Sequence, residues 1–225
     1  MLIANSATQY PWAAIAVTNP NITVTNLIHL GNDNIVVAEI IKGTTKIYAI
    51  SGYLSPSQDH TPVLETLSRA LDRLRGSSVL IGIDGNAYST AWGSAETNSK
   101  GESIEDFIAQ YNLKILNCPS NLTTYCSSIG SSNIDITLAS GYARLGVQNW
   151  LVEDGWTLSD HQVITFQYTL KTNICPQQPY IQSRYKTRLR CYKNFNTLLE
   201  QNVANLPQTP ESAEDRELFH GGTLN

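Results

Sequence analysis

An acid and an amide stand two residues apart directly after a short apolar run. The apolar run covers residues 79–83, and Asp84 and Asn86 follow it. Because residues i and i+2 of a strand point to the same side, Asp84 and Asn86 are expected to face one site at the strand's end. A carboxylate beside a neutral amide suits a hard cation and a phosphate group. The same two residue types are also common in turns, so the pair needs support from other segments.

Three other segments place chemically useful side chains at predicted strand ends. Tyr53 closes one strand, Asp135 lies inside the apolar run 134–138, and Asp160 and His161 immediately precede the last strand. Each also has an ordinary structural explanation, as a packed aromatic, a turn cap or a loop pair. Their common placement at strand ends is what predicts a shared site.

Runs rich in β-branched residues predict the strands that carry these side chains. The predicted strands are residues 13–17, 35–41, 46–54, 79–83, 113–116, 133–138, 150–152 and 162–170. The turn at residues 42–45 makes a hairpin of the second and third. The continuous apolarity of residues 79–83 predicts a strand covered on both faces.

Two amphipathic segments predict helices between the strands. Thr61 can cap the first helix, Pro62 suits its first turn and Gly76 its end. Its apolar stripe is Leu64, Leu67, Leu71 and Leu74, and the second helix is marked by Ile104, Phe107, Ile108 and Tyr111. Hairpins mixed with isolated helices predict two β-sheets packed face to face with helices outside.

Composition narrows the class of protein. With 225 residues, 41% of them hydrophobic and 15% charged, the chain fits one large globular domain or a domain with an appendage. The net charge of −4 argues against a general nucleic-acid coat protein, but it permits an enzyme with an acidic metal site. The sequence offers neither a secretory signal nor an apolar run long enough for a bilayer, so no membrane partner is expected. The four cysteines lack CxxC spacing and are expected to stay reduced inside a cell.

The character of the chain changes near residue 172. We therefore predict a domain over residues 1–172, followed over 173–225 by a linker, one amphipathic helix and a disordered tail. Positive charge is concentrated in this second part. A basic run there could contact phosphates or form a solvated linker face, and both interpretations stay open. Its members are Arg184, Lys186, Arg188, Arg190 and Lys193.

The order of these motifs resembles the endonuclease/exonuclease/phosphatase superfamily, which has the DNase I-like fold. Within it, the closest resemblance is to the endonuclease domain of non-LTR (LINE-type) retrotransposons, over roughly residues 10–206. The segments that carry it are residues 82–89, 92–94, 100–102, 116–117, 131–138 and 184–187, with Tyr192 and Phe195. The resemblance implies an α/β, four-layered sandwich of two mixed sheets with helices outside.

The resemblance also implies a metal-dependent phosphodiesterase that nicks DNA, with Mg²⁺ or Mn²⁺ as cofactor. Asp84 would orient or deprotonate the attacking water, Asn86 would hold the water or a phosphate oxygen, and Tyr53 would donate its hydroxyl to the phosphate. His161 would stabilise developing charge while Asp135 orients its ring. The implied metal ligands are Asp84 and Asp160. The implied DNA contacts are Ser89, Arg184, Lys186 and Arg188.

Two departures from the family pattern affect the expected activity. Tyr88 stands where these domains usually carry His. The family also begins with a strand–helix–strand unit that supplies an Asn and a metal-binding Glu, and nothing before Tyr10 matches it. Glu39 and Glu65 are the nearest acids, but their contexts differ. We therefore expect an amino-terminally truncated member that, made alone, is poorly soluble and cleaves DNA weakly or not at all.

Two functional classes stay open from the sequence. One is a DNA-nicking endonuclease domain of a retrotransposon polyprotein, located in the nucleus, with the reverse transcriptase elsewhere in that polyprotein. The other is a catalytically impaired relic or nucleic-acid-binding module that keeps the fold without a complete metal site. A lipid or inositol phosphatase is a weaker rival within the enzyme class.

Overall fold

The computed structural model describes residues 2–3, 11–140, 143–155 and 159–169. All of them belong to one compact unit, Met1–Tyr180. The predicted linker, helix and tail after residue 172, and the predicted domain boundary itself, lie outside the described residues. Within those residues, no helix is both long and apolar enough to cross a membrane.

A six-stranded mixed sheet forms the centre of the domain. Its strands are β3 (Thr23–Asn26), β4 (Ile35–Lys42), β5 (Thr45–Tyr53), β6 (Val79–Asp84), β7 (Lys114–Ile115) and β10 (Asp135–Ala139). Their order in the sheet is β3-β4-β5-β6-β10-β7, and only the β5–β6 pair is parallel among these neighbours. The β4–β5 hairpin turns through Gly43, whose positive φ of 60° suits glycine.

Two helices cover one face of this sheet. Helix α1 is Thr61–Arg73 and helix α2 is Ser99–Gln110. Alternate strand residues such as Ile50, Ile81 and Ile136 pack with the helices into the main hydrophobic core, because successive side chains of a strand point to opposite faces. This core supplies the main apolar burial that holds the sheet to its helices.

Short two-stranded ribbons lie on the other face of the sheet. One pairs β1 (Leu2–Ile3) with β2 (Ile15–Ala16), and Ile15 packs against Val36 of β4. Another pairs β11 (Val147–Glu153) with β12 (Val163–Tyr168). Trp150 of β11 packs beside Leu80 and Ala139, and its indole N–H donates to Thr137 Oγ1 at 3.0 Å.

A cleft of about 430 Å³ lies over the middle of the same face. Its floor includes Ser51, Gly82 and Thr137, and its walls include Trp12 and Phe166. Gly82 is exposed, so the prediction that β6 is covered on both faces is wrong. The apolar character of Leu80 reflects its packing against the β11–β12 ribbon, whereas the end of β6 opens into the cleft.

The remaining elements are short and lie between the main strands. They are the 3₁₀ turns Ile28–Leu30 and Thr90–Trp92, strands β8 (Tyr125–Cys126) and β9 (Ser131–Ser132), and helix α3 (Ala143–Gly146). Every predicted strand overlaps an observed one and both predicted helices are present, whereas β1, β3, β8 and β9 were not predicted. The first helix begins at Thr61 rather than using it as a cap, and Asp59 Oδ1 accepts hydrogen bonds from the Thr61 amide and hydroxyl.

Candidate active site

Three neighbouring strands place one functional side chain each in a single row across the sheet. Tyr53 is the parallel partner of Asp84, and Asp84 is the antiparallel partner of Asp135. Side chains directly opposite each other in a sheet point to the same face, so all three face the cleft. The row brings together a hydroxyl and two carboxylates from segments that are distant in sequence.

His161 completes this row from the loop before β12. Its Nδ1 atom lies 3.1 Å from both carboxylate oxygens of Asp135, and its Nε2 atom lies 3.7 Å from Asp84 Oδ2. The backbone forms a β-bridge with Tyr125, whose ring meets the imidazole edge-on at a centroid distance of 5.2 Å. The predicted contact between Asp135 and a ring nitrogen of His161 is therefore present.

Asn86 is held beside Asp84 by its own side chain. Its Nδ2 donates to Asp84 Oδ1 at 2.8 Å and to the Leu54 carbonyl at 3.1 Å. The backbone of Asn86 has a positive φ of 44°, a conformation that asparagine adopts more readily than most residues. The two side chains meet as predicted, but β6 ends at Asp84, and the turn after it rather than strand alternation fixes the amide against the carboxylate.

Burial makes the two carboxylates unusually basic. Desolvation, reinforced by the charge of Asp135, raises the pKa of Asp84 to about 6, although His161 opposes the rise. Desolvation likewise raises the pKa of Asp135. Two acids that resist ionisation in one pocket would be stabilised by a cation placed between them.

The donor set fits a divalent cation. Asp84, Asp135 and His161 each offer one ligand atom, and these atoms lie within 4.8 Å of one another. Carboxylate oxygens are the ligands that Mg²⁺ and Mn²⁺ prefer, and an imidazole is compatible with Mn²⁺. The cluster is therefore a possible metal site.

Asp160 lies beside this cluster rather than in it. Its side chain is exposed, and the Tyr125 hydroxyl donates to its Oδ2 atom at 3.4 Å. Asp135, not Asp160, is the carboxylate that accompanies Asp84 in the possible metal site. The ligand role of Asp160 therefore stays a prediction.

The predicted DNA contact of Ser89 needs correction. Its side chain is fully buried, donates to Glu105 Oε1, and accepts from the Ala91 amide at the start of the 3₁₀ turn. A buried hydroxyl with both partners inside the domain has no surface to offer DNA. The other predicted contacts, Arg184, Lys186 and Arg188, lie outside the described residues.

Lys100 lies beside the site, although its sequence motif predicts no role for it. It lies in the first turn of α2, and its Nζ donates to the carbonyls of Leu54 at 3.3 Å and Ser55 at 2.8 Å. Burial lowers the pKa of Lys100, while the charge of Asp84 acts in the opposite direction. The only available sequence signal was the position of Lys100 in a family-like motif.

Two residues hold Asp135 in place through its backbone. Asn117 Nδ2 donates to the Asp135 carbonyl at 2.9 Å, and the buried Thr124 hydroxyl accepts from the Asp135 amide at 3.1 Å. These contacts fix the main chain of Asp135 at the position from which its side chain reaches His161. Asn117 was recognised only as part of a motif, and Thr124 carried no signal in the sequence.

The tryptophan motif after β6, residues 92–94, connects the loops that carry the two acids. Trp92 is buried and donates its indole N–H to the Ala87 carbonyl at 3.2 Å. Ser94 Oγ donates to the Asn133 carbonyl at 2.8 Å, and Asn133 Nδ2 donates to the Gly93 carbonyl at 2.7 Å. These bonds join the loop after Asp84 to the segment before Asp135, so the motif braces both acids.

A sandwich with two acids and an imidazole at its strand ends defines a class of phosphodiester-hydrolysing nucleases, and comparison with known proteins agrees. The endonuclease domain of TRAS1, a telomere-specific non-LTR retrotransposon, matches with a TM-score of 0.70 and 26% identity. That match covers 76% of this chain and 80% of the TRAS1 chain. The AP endonuclease LMAP from Leishmania major matches with a TM-score of 0.50 and 9% identity over 62% of this chain and 56% of its own, which supports the fold alone.

Sequence comparison gives the family. Residues 47–165, just over half of the chain, match the endonuclease-reverse transcriptase family, and the chain belongs to that family. The Pol polyprotein of the type-1 retrotransposable element R1 from Bradysia coprophila is 29% identical over 187 residues, which is 78% of this chain and 18% of the relative. A putative 115 kDa protein in element R1DM of Drosophila melanogaster is 25% identical over 81% of this chain and 19% of its own length.

These findings confirm the predicted membership among non-LTR retrotransposon endonuclease domains and the predicted α/β sandwich. The chain spans about a fifth of the length of the curated relatives it matches.

Proposed function

We propose that this chain nicks DNA by hydrolysing one phosphodiester bond with the help of a divalent cation, Mg²⁺ or Mn²⁺. One observation carries the proposal: His161 lies between Asp135 and Asp84, at 3.1 Å and 3.7 Å, and both of these acids line the cleft. Membership in the endonuclease-reverse transcriptase family supports the same reaction. When bound, the cation would neutralise charge on the phosphate and on the leaving oxygen.

Asp84 and Asn86 act on the attacking water. Asp84 accepts a proton from the attacking water, whose oxygen forms the new bond to phosphorus while the bond to the leaving oxygen breaks. Asn86 keeps Asp84 oriented through its 2.8 Å hydrogen bond. In the metal-free domain, burial raises the pKa of this carboxyl above its usual range, which makes it a stronger proton acceptor than an exposed aspartate.

His161 and Tyr53 act on the phosphate. His161 acts on the negative charge that develops on the phosphate oxygens, and Asp135 fixes the orientation of its ring through Nδ1. Tyr53, on the β-strand next to that of Asp84, donates a hydrogen bond from its hydroxyl to a phosphate oxygen. The leaving oxygen takes its proton from solvent.

The relatives indicate the kind of longer protein in which this domain works. They are products of R1-type retrotransposable elements, and one is described as a Pol polyprotein. We infer that this domain works within a longer polypeptide that also contains a reverse transcriptase, and that it meets its DNA in the nucleus.

A nicking assay on supercoiled plasmid tests the proposal. The chain should convert supercoiled plasmid to the open circle with Mg²⁺ or Mn²⁺, and EDTA should stop the conversion. Asp84→Asn should abolish nicking because it removes the proton acceptor while keeping the shape of the side chain. Asp106→Asn is the matched control, since Asp106 is an exposed acid on α2. If Asp84→Asn nicks as well as Asp106→Asn, or if the parent chain does not nick, the result contradicts the proposal and favours a catalytically impaired relic.

A further inference from the structure

An exposed pair of stacked aromatic rings lies next to the acid row. The rings of Trp12 and Tyr53 are nearly parallel, with an interplanar angle of 12° and a centroid distance of 5.2 Å. Tyr53 is only partly buried, and Trp12 is 64% exposed. An indole this exposed contributes little to a core, so packing alone does not account for its placement.

The backbone holds both rings in position. The Trp12 amide donates to the Asp33 carbonyl at 3.0 Å, and the Tyr53 amide donates to the carbonyl of the next residue, Asn34, at 3.0 Å. Asn34 Nδ2 donates in return to the Tyr53 carbonyl at 3.2 Å. Because adjacent residues of one loop anchor the two rings, the stack exists before any ligand arrives and loses little freedom on binding.

The stack is continuous with the reaction centre. Tyr53 is the direct strand partner of Asp84, and Trp12 lines the same cleft as Asp84 and Asp135. A chain whose phosphate lies against Asp84 therefore passes beside the Tyr53 ring and the indole stacked on it. What that chain presents beside its phosphates is a series of flat bases.

We propose that Trp12, supported by Tyr53, is a stacking platform for an unpaired nucleobase close to the phosphate that is cut. This inference rests on the proposed function, because it names a subsite of the same substrate. Bases inside a duplex already stack on their neighbours, so the platform favours a nucleotide that is unpaired or displaced. Every base has a π-face, so the platform selects for unpaired structure rather than for sequence.

DNA binding measured under conditions that prevent cleavage tests this subsite separately from the reaction. Fluorescence anisotropy in EDTA would compare a labelled duplex with the same duplex carrying one unpaired adenine. Trp12→Ala should weaken binding to the second duplex about tenfold, which corresponds to about 1.4 kcal/mol, and should affect the fully paired duplex less. Trp12→Phe should keep most of the affinity because it keeps an aromatic face.

Ile28→Ala is the matched control for lost apolar surface. Ile28 is 65% exposed, almost the same as Trp12, and offers no aromatic ring. Its substitution should leave both affinities unchanged. Equal binding by Trp12→Ala and the parent chain, or equal losses in Trp12→Ala and Ile28→Ala, would overturn the platform.

A second measurement needs no variant. With 2-aminopurine at the unpaired position, stacking on the platform should quench its fluorescence when the unmodified chain binds, and unchanged fluorescence would overturn the proposal. The nuclease reaction is tested separately. If the chain nicks DNA with a metal ion but Trp12→Ala binds as tightly as the parent, only the stacking platform is wrong. If Trp12→Ala weakens binding but the parent chain does not nick, the proposed reaction is wrong and the platform stands.

Discussion

Replacing Asp84 with asparagine should stabilise the metal-free domain while it abolishes nicking. Burial and the nearby Asp135 charge raise the pKa of Asp84 from 3.8 to about 6, so the folded state resists the ionised form that dominates at neutral pH. Asparagine removes that charge and keeps an acceptor for the hydrogen bonds from the Asn86 amide and Nδ2. The acid is therefore maintained at a cost in stability.

The size of the effect follows from the pKa difference. A rise of roughly two units corresponds to about 3 kcal/mol, at 1.36 kcal/mol per unit. The side chain of Asp84 is 21% exposed, and partial screening by water reduces the expected gain to about 2 kcal/mol. For a chain of this length that gain should raise the melting temperature by about 4–8 °C.

The gain should depend on pH with a definite sign. Below pH 3.8 Asp84 is protonated in both states and carries no penalty, and as pH rises through about 6 the folded parent chain loses stability. The difference between variant and parent should therefore be largest above pH 6 and disappear near pH 4. Adding Mg²⁺ at pH 7.5 should stabilise the parent chain more than the variant.

Thermal unfolding in EDTA at pH 7.5 and pH 4 measures this directly. Asp106→Asn makes the same change in net charge at an exposed position and should leave the melting temperature nearly unchanged. A lower melting temperature for Asp84→Asn at pH 7.5, or an equal gain at both pH values, would refute the reasoning.

Three further outcomes can be measured with the same protein. In plasmid nicking, His161→Asn should lose about 10²–10⁴-fold in rate and Asp135→Asn less, because Asp135 acts through the ring; a larger loss in Asp135→Asn would contradict that division. In urea unfolding, Gly101→Ala should destabilise by about 1–3 kcal/mol, since its Cβ would fall on the Tyr88 carbonyl; equal stability would contradict this. Neutralising Arg184, Lys186 and Arg188 should flatten the salt dependence of DNA binding if they contact phosphates, and an unchanged slope would favour a solvated linker.

The sequence could predict which residues lie at strand ends but not which of them meet. Runs rich in apolar and β-branched residues are sufficient to identify β5, β6 and β10 as strands. The row of Tyr53, Asp84 and Asp135 depends on register between strands that are far apart in sequence, which no local pattern records. The order of the motifs along the chain matches a known family, and this resemblance is the reason why the Asp135–His161 contact could be predicted.

Side-chain direction decides which motif residues reach the site. Ser89 has the expected residue type beside the expected motif but is buried, and Asp160 is exposed beside the cluster of Asp84, Asp135 and His161. The chain turns at Asp160 so that its neighbour His161 faces the acids, and it turns at Ser89 into a buried cap. Such turns depend on tertiary contacts that sequence spacing does not reveal.

The row across β5, β6 and β10 limits how this domain can change over evolutionary time. Inserting or deleting one residue within any of these strands would turn its functional side chain to the helix-covered face. Insertions in the connecting loops leave the row intact, because loops lie outside the hydrogen-bonded ladder. A lineage of such domains is therefore free to exchange the loops that touch its target while the strands that carry the chemistry keep their lengths.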